Sequence, residues 1–160
     1  LFELLNLEGA QAGLSWITVL KKRSRYQQVF DNFEPKKMAV YDEIKRIELL
    51  SDAGIIRNKL KVNAFIENAK AYWKIEALGE DFSKVIWGFV DGEPLLNGYT
   101  SMAELPAQTK LSGSMSEALK EKGFRFFGPT ICYAFMQAAG LVNDHTIDCF
   151  RRTEVPSVGF

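Results

Sequence analysis

Apolar residues recur with a helical period along almost the whole chain. At about 100° per residue, Leu1, Leu4, Leu5 and Ala12 gather on one face of a first helix, with Glu3 and Asn6 turned away. Glu8 falls at the centre of that apolar face. A buried carboxylate costs several kcal/mol unless it is paired or hydrogen-bonded. The pattern therefore demands a partner for Glu8, a different local structure, or a task for the charge. After a turn containing Gly13, Ser15 is placed to cap a second helix to about Phe33, carrying Trp16, Val19, Leu20, Tyr26, Val29, Phe30 and Phe33. Pro35 suits a first helical position.

Farther along, a helix over Tyr41 to Ser51 is ended by Gly54, and Asn58 to about Leu78 is the clearest amphipathic stretch. Phe82 to Val90 predicts a short helix closed by Asp91-Gly92. Residues 91–113 read as loops, and Ser114 with Glu117 reads as a capping box opening a helix to Lys122. No repeat and no run of alternating strands interrupts this, so the predicted fold class is all-α.

Composition narrows the setting. A chain of 160 residues is one domain, over 1–160, able to bury roughly 70% of its unfolded surface without staples. No run of about 18 apolar residues is present, so no membrane partner is expected. The chain starts with Leu inside an apolar pattern, with no cap before it, and reads as cut from something longer. Cys132 and Cys149 are too few for a disulfide framework and suit a reducing cytoplasm. A formal net charge of zero argues against a polyanion held by bulk charge, and leaves room for a local clamp.

One segment offers such a clamp. In ALKEKGFRFFGPTICYAFMQAAGLVNDH, residues 118–145, a helix ends at Gly123, an apolar-basic turn follows, and a new helix starts at Gly128-Pro129. Glycine at both corners permits positive φ and close backbone approach. The N-terminus of the new helix, with its N–H groups and positive dipole end, can hold a phosphate, near Lys120, Lys122 and Arg125. A tight turn between packed helices and a helix-hairpin-helix clamp, spanning about 115–140, are both consistent with this spacing.

The hairpin and the helix after it resemble the helix-hairpin-helix DNA glycosylases, and more closely the DNA-3-methyladenine glycosylase I family. LEGAQAGLSWITVLKKR, DAGIIRNKLKVNAFIENAKAY, GFRFFGPTICYAFMQAAGLVNDH and the trailing Cys149 are similar to that family's signature blocks, in order, over residues 1 to about 150. The resemblance implies a two-lobed helix-hairpin-helix DNA glycosylase architecture with a base pocket between the lobes. It implies excision of 3-methyladenine, or other N3-alkylated purines, from alkylated double-stranded DNA. A bacterial cytoplasmic monomer is expected.

The resemblance also assigns roles. Glu8 would be the catalytic pocket carboxylate, accepting from the donor edge of a flipped base and stabilising its positive charge. Its bland alternative is a buried glutamate tied to a helix terminus. Trp16 would be the stacking surface of the base pocket, or else a core anchor. Gly13 and Leu14 would form a wedge filling the space the flipped nucleotide leaves. Gly123, Arg125, Gly128 and Thr130 would hold the DNA backbone. Lys21, Lys22, Arg23 and Arg25 read first as a solvated helix face and second as a DNA-flank contact.

Two absences bear on the chemistry. Asn143 stands where many relatives in the wider superfamily place an aspartate, and Asp144 beside it would point elsewhere on a helix. No lysine occurs from Gly128 to the end of the chain, so a Schiff-base nucleophile is missing from this region. Both fit a monofunctional glycosylase. His145 and Cys149, one helical turn apart, would supply two ligands of a structural zinc whose other Cys and His would lie before Leu1. Two rival readings remain: a non-catalytic helix-hairpin-helix DNA-binding module, and an all-α protein-interaction domain.

Overall fold

The computed structural model describes residues 1–154, a helical protein built around its first helix. Residues 155–160, which the single-domain expectation included, lie outside the described residues. In chain order the helices are α1 (Phe2–Gln11), α2 (Trp16–Val29), α3 (Pro35–Met38), α4 (Glu43–Ser51), α5 (Lys59–Ala77), α6 (Phe82–Trp87), α7 (Lys110–Glu121), α8 (Pro129–Ala138) and α9 (Arg151–Glu154). α1 packs against α2, α5 and α8; α7 pairs with α8, while α3 and α4 lie on α5. No helix among the described residues is long and apolar enough to cross a membrane.

α1 is buried on more than the one face its pattern suggested. Phe2, Leu5, Leu7, Glu8 and Ala10 are all inside, and Asn6, expected to turn away, is completely buried. Asn6 is tolerated because its amide is satisfied: Nδ2 donates to the Phe2 carbonyl at 2.8 Å and Oδ1 accepts from Asn68 of α5 at 3.0 Å. Glu3 does reach outward, to Arg23 at 2.8 Å and Gln27 at 2.9 Å.

α2 stops at Val29, short of the expected Phe33, because Asp31, Asn32 and Phe33 form a left-handed turn with φ of 50°, 55° and 57°. Left-handed backbone costs roughly 1–2 kcal/mol per residue. The turn drives Phe33 into an aromatic cluster, where its ring lies 5.9 Å from Phe30 and 6.0 Å from Phe65. Burial of such a ring returns roughly 1.5–3 kcal/mol. A second cluster joins Phe2, Tyr72 and Phe82, with Phe82 stacked on Phe124 at 5.7 Å.

α3 starts with Pro35 at its first position, and α4, α5 and α6 start at side-chain caps. Asp42, Asn58 and Asp81 each accept a backbone N–H three residues on. The expected box at Ser114 and Glu117 is displaced, however. α7 opens earlier, at Lys110, with Thr109 and Ser112 exchanging the reciprocal bonds, so Ser114 lies inside the helix. One departure from an all-helical fold is a two-residue parallel pairing of β1 (Leu95–Leu96) with β2 (Val142–Asn143), which brings the loop after α6 beside the segment after α8.

Candidate active site

The C-terminal end of α1 and the first residue of α2 form one wall of an open cleft of about 800 Å³. The opposite wall is the C-terminal half of α8 and the segment from Gly140 to Cys149, with Met102 and Leu105 at one side. Glu8, Trp16, His145 and Cys149, nominated separately from sequence, all line it. Carboxylates enter from both walls, Glu8 from α1 and Asp144 from the facing segment, and no lysine or arginine is among the lining residues.

Glu8 is only 5% exposed, and among the described residues no donor or cation meets its carboxyl. Desolvation, acting alone, pushes its pKa from the ordinary 4.5 up to about 7. The bland reading, a glutamate tied to a helix terminus, is therefore not what the geometry contains.

The helix end itself is held by a different residue. Lys61 of α5, buried, donates from Nζ to the carbonyls of Ala10 and Ala12, each at 2.7 Å. A cation at a helix C-terminus also meets the negative end of the dipole, worth roughly 0.3–2 kcal/mol. Beyond that anchor the chain turns through Gly13, with φ of +77°, and Leu14 is 38% exposed at the tip. Ser15 precedes α2, but its hydroxyl pairs with Thr18 Oγ1 at 2.7 Å rather than capping a backbone N–H. Trp16 follows at once, half-buried, so the short turn fixes its position relative to Glu8.

The four hairpin residues lie apart from the cleft, at the other end of α8. Ten residues of helix span about 15 Å. Gly123 has φ of +106°, as a corner glycine requires. Gly128 does not: its φ is −71°, and the second left-handed residue is Phe126 at +58°. A Cβ on Gly128 would meet nothing within 4 Å, so no contact within the protein needs glycine there. Arg125 is exposed, but its guanidinium folds back onto the carbonyls of Lys120 and Phe124. Thr130 is exposed in the first turn of α8. The basic run on α2 is largely engaged with the protein: Arg23 with Glu3, Arg25 with Asp52 at 2.6 Å, and Lys22 with the Ala53 carbonyl.

The segment after β2 corrects another expectation. Asp144 is not on a helix; it sits in the loop just after β2, buried, as a cleft-lining residue. It accepts from Asn97 Nδ2 at 2.6 Å, Tyr133 Oη at 2.6 Å and Gln137 Nε2 at 2.7 Å. Asn143 spends its amide on the backbone, donating to Arg152 O at 3.1 Å and accepting from His145 N at 3.2 Å. An aspartate could accept there but not donate. Neither the Asp144 hub nor Lys61 stood out in sequence, although an unpaired lysine on the apolar face of α5 was a signal that could have been read.

His145 and Cys149 are also in a loop rather than on one helical turn, yet they meet: Nδ1 and Sγ are 3.6 Å apart. Two ligands on one tetrahedral zinc, at about 2.05 Å for nitrogen and 2.3 Å for sulfur, are about 3.5 Å apart. The pair thus fits one edge of such a site. Among the described residues no group of three or more His, Cys, Asp or Glu side chains comes together for a metal.

The family profile described as methyladenine glycosylase matches residues 1–152. The DNA-3-methyladenine glycosylase 1 of Escherichia coli (strain K12) is 51% identical over 149 residues, covering 93% of this chain and 80% of that protein. A crystal structure of 3-methyladenine DNA glycosylase I superposes with a TM-score of 0.91 at 49% identity, over 93% of this chain and 82% of the other. A second, of a 3-methyladenine DNA glycosylase I in complex with 3-methyladenine, gives a TM-score of 0.91 at 36% identity, over 94% and 81%. The chain with the unpartnered Glu8 belongs to the methyladenine glycosylase family.

Proposed function

We propose that this chain is a monofunctional DNA glycosylase that excises 3-methyladenine from alkylated double-stranded DNA. The observation that carries the reading is Glu8: a carboxylate buried without a partner, in a cleft that no lysine or arginine lines among the described residues. Such a group is destabilising in the free protein and becomes favourable when a cation or a donor-rich ring enters.

The reaction asks for little else. Methylation at N3 gives the attached adenine a positive charge, so the C1′–N9 electron pair leaves with the base, which departs neutral. Water adds at C1′ and releases one proton, and the sugar carries positive charge in between. Glu8 accepts from the donor edge of the flipped base and stabilises the cationic nucleotide; Trp16 stacks on the ring. Leu14, exposed at the tip of the turn after Gly13, fills the vacated stack.

The hairpin between α7 and α8 serves as a phosphate clamp, using the N-terminus of α8 with Gly128 and Thr130. Arg125 adds positive charge at the rim. The open face around Gly128 supports this role, because the missing side chain leaves room for a backbone from outside. The non-catalytic alternative gives Glu8 no reason to be buried unpaired. His145 and Cys149 are proposed as two ligands of a structural zinc; when bound, the ion would cross-link chain segments rather than supply chemistry. A monomer in the bacterial cytoplasm suits an open cleft and free thiols.

The test is incubation of N-methylated duplex DNA with the protein, with free bases separated by chromatography and strands sized on a denaturing gel. Free 3-methyladenine with strands left intact at the abasic sites is expected. Absence of base release overturns the proposal, and direct strand cleavage overturns its monofunctional part.

A further inference from the structure

Asp144 takes three hydrogen bonds inside the wall of the cleft, and one of its donors is a side chain that itself faces the cleft. Oδ1 accepts from Asn97, and Oδ2 accepts from Tyr133 and Gln137. The hub is assembled by the small sheet: Leu95 N–H bonds to Leu141 O and Asn97 N–H to Asn143 O, which sets Asn97 beside Asp144. Tyr133 and Gln137 are four apart on α8 and share a face. An ionised carboxylate can only accept. The amide of Gln137 is therefore held one way, with nitrogen toward Asp144, because the reverse orientation would set oxygen against oxygen. Gln137 is exposed in the cleft lining, and its Oε1 has no partner among the described residues.

We propose that Gln137 is a specificity-determining residue, presenting a fixed amide oxygen to a hydrogen-bond donor on the bound base, with Asp144 as the positioning residue that fixes it. This rests on the reading of the cleft as a base pocket. Glu8 from α1 and Gln137 from α8 then offer acceptors from two separate elements, so the pocket favours heterocycles bearing N–H donors. The exocyclic amino group of 3-methyladenine is such a donor. A ring lacking it leaves the Gln137 oxygen desolvated and unpaired, which is how a buried polar group rejects an analogue.

The test measures binding of free 3-methyladenine and of 3-methylpurine, which lacks the amino group, to the parent, Gln137→Met and Asp144→Asn. The parent is expected to prefer 3-methyladenine. In Gln137→Met that preference falls about tenfold, the size of one net hydrogen bond, with 3-methylpurine binding unchanged. In Asp144→Asn, where either amide orientation can be satisfied, the preference falls although Gln137 is intact. An unchanged ratio in Gln137→Met, whether both affinities drop together or neither does, overturns the inference. Failure of the parent to bind 3-methyladenine would instead overturn the base-pocket reading beneath it.

Discussion

Asn68 accepts the backbone N–H of Arg125 at 2.7 Å while its own amide donates to Asn6 at 3.0 Å. A single buried side chain of α5 thus ties the hairpin turn to the helix that carries Glu8. The two are close enough that a Cβ on Gly9 would come within 3.2 Å of the Phe126 carbonyl. Ser116 of α7 closes the same turn from its other side, donating to Phe127 O at 2.7 Å. The elements proposed to grip DNA and to hold the base are thus tied directly to each other.

Asn68→Ala should therefore do more than remove a surface bond. It leaves the part-buried Arg125 N–H and the buried Asn6 Oδ1 without partners, the latter at about 1–3 kcal/mol and the former at less. A loss of about 2 kcal/mol corresponds to a Tm lowered by about 6 °C. Calorimetry of the variant checks this, and a shift under about 1 °C would show that the bridge is not structural.

The two hairpin glycines should behave oppositely. Gly128 has ordinary φ and open space, so Gly128→Ala should change stability by less than about 1 kcal/mol, the range for open positions and weak caps. Gly123 has φ of +106° with Ala71 Cβ 3.5 Å from an added methyl, so Gly123→Ala should lose more than about 1 kcal/mol. Duplex binding at fixed salt should weaken in the folded Gly128→Ala variant if a phosphate backbone approaches there. Full affinity in that variant removes the clamp.

Glu8 makes stability depend on pH in a direction opposite to an ion-paired carboxylate. Its folded pKa, about 7, lies above the ordinary 4.5, so the folded state binds a proton that the unfolded state has released. The penalty for burying its charge is full above about pH 7 and absent below about pH 4.5. Glu8→Gln should melt higher than the parent at pH 8, with the difference shrinking toward pH 4.5. Equal Tm differences across that range would mean that the carboxyl is not desolvated in solution.

For the metal, the purified protein is compared with Cys149→Ser after cobalt loading, because a thiolate ligand gives a charge-transfer band that serine cannot. Loss of the band in the variant, together with a lower Tm on chelation of the parent, is the expected outcome. Absence of both the band and the chelator effect in the parent would overturn the zinc assignment.

Much of this was legible in the sequence because local chemistry decided it. Asn58 marked a helix start, Pro35 a first turn, and the period of α5 its buried face. Glu8 stood out because a charge broke an apolar face, a signal that needs no tertiary information. What stayed hidden depended on distant partners. Asn6 looks like a surface residue until Asn68, 62 positions later, is placed against it. Asp144 was read as helical because nothing local announces that two residues of strand pair with Leu95 and Leu96. The left-handed turn at Asp31–Phe33 likewise follows from the aromatic cluster that Phe33 completes, and not from the residues of the turn. At the capping box, α7 opens at Thr109 rather than Ser114, so that Ser112 and Met115, both buried, lie within the helix.

The most direct test of the account is single-turnover base release from methylated duplex DNA by the parent and by Glu8→Gln, with duplex affinity measured on the same preparations. The account predicts that the parent releases 3-methyladenine with a kcat/KM that rises as pH passes through about 7, the pKa of buried Glu8 in the unliganded protein. It predicts that the variant binds duplex equally well, releases base at least about a hundredfold more slowly, and loses that pH dependence. A variant as fast as the parent would show that the unpartnered carboxylate is not the group that drives the reaction.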